Sequence, residues 1–124
     1  MKLILIVATG SGIGGALRYG MQTLAARLYP IHFPVGTFSV NLIGCFLIGI
    51  FVGLVERGNI LTEETRLFLI TGICGGFTTF SSFSFDNIAL LRTGEWFSFL
   101  LYLIGSVALG ILATWLGILL IRSR

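Results

Sequence analysis

The stretch Thr71-Gly72-Ile73-Cys74-Gly75-Gly76-Phe77-Thr78-Thr79-Phe80-Ser81-Ser82-Phe83-Ser84-Phe85 decides how this chain folds. It lies inside an apolar run from Thr65 to Leu91, about 27 residues and so roughly 40 Å as α-helix. A bilayer's hydrocarbon core is about 30 Å thick. The run can span it, yet glycines, hydroxyls and phenylalanines crowd where leucine is expected. Each glycine lowers helix propensity by about 1 kcal/mol. The stretch therefore predicts a membrane-spanning helix interrupted near Gly75 to Thr79.

Working outward, three more apolar runs flank this one. The first covers residues 3–26 and is rich in small residues, Ala8 and Gly10 through Ala16 among them. The only two prolines, Pro30 and Pro34, bracket Ile31-His32-Phe33 and mark a turn, because proline removes a donor and biases its predecessor away from helix. The second span covers 35–55 and stops at Glu56-Arg57-Gly58-Asn59, where charge and a glycine end a helix. Thr62 then reads as an N-cap, with Glu63 and Glu64 suited to the positive end of the helix dipole. The third span covers 65–91. After the turn Arg92-Thr93-Gly94-Glu95, the fourth covers 96–121, with Trp96 as an interfacial aromatic.

The composition agrees with this division. Of 124 residues, 56% are hydrophobic and 10% charged, and mean hydropathy is +1.01. A typical soluble domain is about a quarter charged, and a water-soluble fold of this length could not hide so much apolar surface. The reading is an all-α integral membrane protein of four transmembrane helices, the third broken near the midplane. Residues 1–124 form a single transmembrane domain with no linker. Lys2 followed by Leu3 to Ala8 has the look of a signal peptide. The pattern continues well beyond it, so it is read as a retained first helix.

Net charge is +3, but the basic residues are scattered singly. Lys2, Arg57, Arg92, Arg122 and Arg124 sit at span ends as interfacial anchors. No basic stripe exists, which sets nucleic acid aside as a partner. Four spans put both termini and the second loop on one side. That side holds Lys2, Arg57, Arg66, Arg122 and Arg124, against Arg27 and Arg92 on the other. The bias favours termini inside, but so few charges allow insertion both ways.

Several motifs have competing readings. Gly10-Ser11-Gly12-Ile13-Gly14-Gly15 matches the dinucleotide fingerprint GxGxxG. That motif needs a βαβ unit and an acid about 20 residues on, whereas the first acid here is Glu56. Close helix packing through small residues fits better, and Gly49 and Gly53 offer the same on the second span. Cys45 and Cys74 lack metal spacing and read as small buried hydrophobes. Thr37, Asn41 and Gly44 share one helical face. Asn41 is either interhelical glue or a donor lining a pore. Arg18 either snorkels or faces an aqueous vestibule.

Phe77, Phe80 and Phe83 recur every three residues, with Thr79, Ser81 and Ser82 between them and Ser84 following. Aromatic residues at helical spacing usually pack a core. Here they adjoin a predicted break, and irregular backbone at membrane depth is tolerated only when buried in protein or lining a cavity. Ion sites are built at such breaks, and a benzene ring offers a positive edge to an anion. Asp86 is the only acid well within a span. It caps a helix, pairs with a basic residue, or carries protons. With His32 as the only histidine, in a turn, no catalytic constellation can be assembled.

On these residues the chain resembles the CrcB/Fluc family of fluoride channels. Gly75 to Ser84 looks like the family's third-helix signature, Val40-Asn41-Leu42-Ile43-Gly44-Cys45-Phe46 like its second-helix Asn motif, and Gly14-Gly15-Ala16-Leu17-Arg18-Tyr19 like its first-helix segment. The likeness covers the whole chain, without clear departure. It implies a passive, fluoride-selective export channel in the cell inner (plasma) membrane, assembled as an antiparallel dual-topology homodimer with two pores. It implies a fluoride path lined by Asn41, Phe80 and Phe83. Ser81 and Ser82 would form a hydroxyl track, extended by Tyr102, Ser106 and Thr114. It also implies a structural Na+ at the dimer axis, held by the backbone carbonyls of Gly75 and Thr78, and places Arg18 in the vestibule. The main rival is a proton-coupled small multidrug-type transporter. That rival needs a membrane-embedded acid, and the first two spans carry none.

Overall fold

Inside a bilayer no water is available to the backbone, so each segment must close its own hydrogen bonds. Helices do so, and a computed structural model of the chain, which describes residues 1–58 and 60–124, is helical almost throughout. In chain order the elements are α1 (Lys2–Leu28), α2 (Val35–Glu56), α3 (Glu63–Arg66), a π-helical segment (Leu67–Cys74), α4 (Gly75–Phe77), α5 (Phe80–Arg92) and α6 (Trp96–Arg122). Elements α3 through α5 make one span, so among the described residues four helices are long and apolar enough to cross a membrane.

The punctuation follows local chemistry. Helix α1 stops before Pro30, and α2 starts directly after Pro34. Thr62 Oγ1 accepts from the Thr65 amide at 3.2 Å and caps α3. Gly58 and Gly94 adopt positive φ, 118° and 76°, at the two turns expected to need glycine. Asn59, expected in the first of these turns, lies outside the described residues. The stretch before the break holds a feature the sequence reading missed, the wide π-helical turns of Leu67–Cys74. Such turns are rare and often mark functional sites.

Small residues set the packing. A β-carbon added at Gly10 would fall 2.7 Å from the Phe68 carbonyl oxygen, and one at Gly14 would collide with the carbonyl of Ile73. Helix α1 therefore lies directly on the π-helical backbone through Gly10 and Gly14, while Gly12 of the GxGxxG run faces open space. Helices α2 and α6 meet in the same way, Gly49 against the Thr114 carbonyl and Gly117 against Phe46 and Ile50. Lys2 pairs with Glu64 and Arg122 with Glu56, each at 2.6 Å. These pairs gather both termini and the loop after α2 at one end of the bundle. Ile4, Leu17, Ile104, Ile111 and Trp115 point outward, as helices solvated by lipid require.

Candidate functional site at the helix break

The third span breaks at two residues. Thr78 (φ −82°, ψ 155°) and Thr79 (φ −150°, ψ 120°) are extended, and the helix restarts at Phe80. The break falls within the expected interval. Threonine chemistry closes both ends. The Thr78 amide and hydroxyl both donate to the Cys74 carbonyl, at 3.0 and 2.9 Å. Thr79 Oγ1 accepts from the Ser82 amide at 3.1 Å and caps α5. Only the location of the break identifies which threonine serves as this cap.

Asn41 holds the half-buried Thr79 peptide from α2. Its Oδ1 accepts from the Thr79 amide at 2.8 Å and its Nδ2 donates to the Thr79 carbonyl at 3.1 Å. An Asn amide has two N–H groups, so one remains after this clamp. Gly44, one turn on, lets the methyl of Thr78 seat against α2. Thr37, one turn back, accepts from Gln22 Nε2 at 3.1 Å. The predicted Thr37–Asn41–Gly44 face is thus the face that meets the rest of the bundle. Arg18 Nε donates to the Gly76 carbonyl at 3.1 Å. It puts a cation at the carbonyl end of the first half-helix, where the dipole favours it.

These side chains take the amides that a continuous helix would use internally. The Thr79 amide would have served Gly75 O, and the Ser82 amide Thr78 O; both are diverted to side-chain oxygens. The carbonyls of Gly75 and Thr78 thereby lose their helical donors. Oxygen of this kind suits a hard cation, so the donor set fits an alkali ion. Among the described residues no group of three His, Cys, Asp or Glu could hold a metal, so a hard cation here would rest on neutral oxygen, the freed backbone carbonyls first.

A cavity of about 360 Å³ opens at the break. Its walls include Asn41, Gly75, Thr78, Thr79, Phe80, Phe83 and Ser106. The rings of Phe80 and Phe83 lie 5.7 Å apart, tilted by 47°. Phe83 is buried, but Phe80 is 79% exposed. The Ser106 hydroxyl is buried without a partner among the described residues. Tyr102 is fully buried behind Phe83, centroids 5.0 Å apart, and also packs edgewise on Phe33. Its hydroxyl donates to Asp86 Oδ2 at 3.0 Å. Asp86 therefore meets a phenol rather than a basic residue or a helix end.

Other expected residues stand off from this cavity. Ser81 is exposed and shares a 3.2 Å hydrogen bond with Thr79 Oγ1, and Ser82 sits on the first turn of α5. Thr114 spends its proton on the carbonyls of Cys45 and Gly110, at 3.0 and 3.2 Å, and so ties α6 to α2. Arg18 does not line the cavity. The sequence reading missed Gln22, Phe33 and Phe38, which support Thr37 and Tyr102. Nothing in their spacing announces it.

Fold and site together define a multi-pass α-helical membrane protein with an uncharged, mostly apolar cavity, set with a few polar groups, where a spanning helix breaks. Sequence comparison narrows the class. Residues 5–118 match the family described as "CrcB-like protein, Camphor Resistance (CrcB)", and the chain belongs to that family. It is 48% identical over 118 residues to the fluoride-specific ion channel FluC of Phocaeicola vulgatus, covering 95% of this chain and 97% of that one. It is 45% identical over 120 residues to the protein of the same name from Azobacteroides pseudotrichonymphae, covering 97% and 96%. With that from Aquifex aeolicus the figures are 42% over 123 residues, covering 99% of each.

Proposed function

We propose that the chain is a fluoride-selective passive channel, not an enzyme, exporting fluoride from the cytoplasm across the plasma membrane. The observation that carries this reading is the cavity at the helix break, whose donors are all neutral. Fluoride is small and tightly hydrated, so a selective path must replace its water without trapping it. Weak, multiple contacts allow entry and release. The leftover Asn41 N–H, the Ser106 hydroxyl and the ring edges of Phe80 and Phe83 supply such contacts. The first amides of α5, at Phe80 and Ser81, add the positive end of a helix dipole. Ser81 and Ser82 would continue the hydroxyl route beside Phe80, while Tyr102, whose proton goes to Asp86, backs Phe83. Thr114, whose proton goes to the carbonyls of Cys45 and Gly110, braces α2 instead of donating to the path, and Arg18 would contribute positive potential at the approach. A phosphate or sulfate path would call for an arginine cluster, and a cation path for an acidic ring.

The working unit in this proposal is an antiparallel homodimer with two pores. Irregular backbone cannot face lipid at membrane depth, yet Gly75 is exposed beside the break and Phe80 projects outward. A second copy would cover both. The weak charge bias suits opposed orientations. Gly75 and Thr78 carbonyls would hold a structural Na+ at the dimer axis, where its charge would offset the carbonyl dipoles.

The test is halide efflux from liposomes containing purified protein, read with fluoride and chloride electrodes. Fast fluoride release without chloride release or a proton gradient supports the channel. Absence of fluoride release from folded protein refutes it. Flux that requires a proton gradient would transfer the assignment to a proton-coupled transporter.

A further inference from the structure

We propose that Cys45 and Cys74 form a two-coordinate thiolate site for a soft d10 cation, of which Hg2+ is the probe, within the cavity at the helix break. The two are far apart in sequence, and neither is in a disulfide. The fold brings both onto the walls of the cavity that holds Asn41, Thr78 and Ser106. They stand on different elements, Cys45 on α2 and Cys74 at the end of the π-helical segment. Cys74 is 2% exposed. The Cys45 sulfur lies 3.5 Å from where a β-carbon on Gly110 would stand, so the absent side chain makes room for it. The backbone at Cys74 is held by Thr78, whose amide and hydroxyl both bond to the Cys74 carbonyl. Ser106, whose buried oxygen has no partner among the described residues, lines the same cavity.

Soft thiolates select soft metals. Among the described residues no third His, Cys, Asp or Glu joins the pair, which excludes a four-ligand zinc site there and suits an ion content with two sulfurs. On binding Hg2+, two S–H bonds break, two S–Hg bonds form, and two protons leave to water. No oxidation state changes. The product is neutral, which a weakly polar interior tolerates better than a free ion. An ion so held stands among the residues proposed to pass fluoride. Its blocking effect rests on that reading; its binding does not.

The experiment titrates the full-length protein in liposomes with HgCl2, desalts it, and counts mercury per chain by elemental mass spectrometry. One ion per chain is expected, because the second thiol closes intramolecularly. Wild type should resist competing glutathione by about tenfold or more over Cys45→Ser or Cys74→Ser. Two ions per chain, or equal resistance in the single variants, overturns the paired site. Cys45→Ala, at the half-buried thiol, serves should Cys74→Ser fail to fold. Mercury should cut wild-type fluoride efflux, reversibly with dithiothreitol, and leave Cys45→Ala at its own untreated rate. One ion per chain with undiminished efflux overturns the location in the ion path. Protein that passes no fluoride before mercury is added refutes the channel reading alone, since the mercury count does not depend on flux.

Discussion

Replacing Asn41 with alanine removes both halves of the clamp on Thr79. The Thr79 amide loses its acceptor at 2.8 Å, and the carbonyl loses its donor at 3.1 Å. The break leaves the Thr79 amide without its helical acceptor, and Asn41 Oδ1 takes that place. A hydrogen bond contributes about 0.5–1.5 kcal/mol net, and interhelical bonds in membranes average about 0.6. Two bonds therefore give about 1–3 kcal/mol. The central expectation is about 2 kcal/mol, or roughly 30-fold in the folding equilibrium. Reversible unfolding in mixed micelles with rising SDS, followed by the fluorescence of Trp96 and Trp115, measures this. A loss below about 0.3 kcal/mol, under half the membrane average for even one bond, would refute the view that Asn41 holds the break. Asn41→Asp separates structure from conduction. It keeps an oxygen for the Thr79 amide but sets a carboxylate in the proposed anion path. Fluoride efflux should fall more than stability does, and unchanged flux would place Asn41 outside the path.

Phe80→Ile should leave assembly intact, by size-exclusion elution, while cutting fluoride efflux about tenfold or more, equivalent to about 1.4 kcal/mol of barrier; full flux would remove the ring-edge mechanism. Gly49→Ala drives a methyl into the Thr114 carbonyl and should cost about 1–3 kcal/mol in the same unfolding assay. Tyr102→Phe deprives Asp86 of its phenol donor and should cost about 1–2 kcal/mol, with slower efflux. Asp86→Asn should leave efflux independent of a proton gradient; a proton-dependent flux that this substitution abolishes would favour the transporter instead.

The break reconciles two demands that conflict in lipid. Polar backbone at membrane depth is needed to meet an ion, yet every unpaired amide or carbonyl there costs several kcal/mol. Asn41, Thr78, Thr79 and Arg18 settle this by pairing selected groups and sparing others. Of the spared groups, the Gly75 carbonyl lies before the extended pair, the Thr78 carbonyl within it and the first amides of α5 after it. One element thus offers cation-favouring and anion-favouring ends within a few residues.

The sequence by itself determined the four spans, the turns at Pro30–Pro34, Gly58 and Gly94, the Thr62 cap and the interruption of the third helix. These are local outcomes of hydropathy, glycine and proline, readable in windows of a few residues. It also marked Asn41, Phe80 and Phe83, because an amide or an aromatic-hydroxyl run in hydrocarbon demands a reason. Tertiary structure alone decided which peptide Asn41 holds, that Arg18 meets Gly76 O, that Asp86 meets Tyr102 and that Thr114 braces α2. It alone placed Cys45 and Cys74 on one cavity. Each of these pairings joins different helices, and a helix pattern records which face a residue occupies but not which residue on another helix stands opposite it.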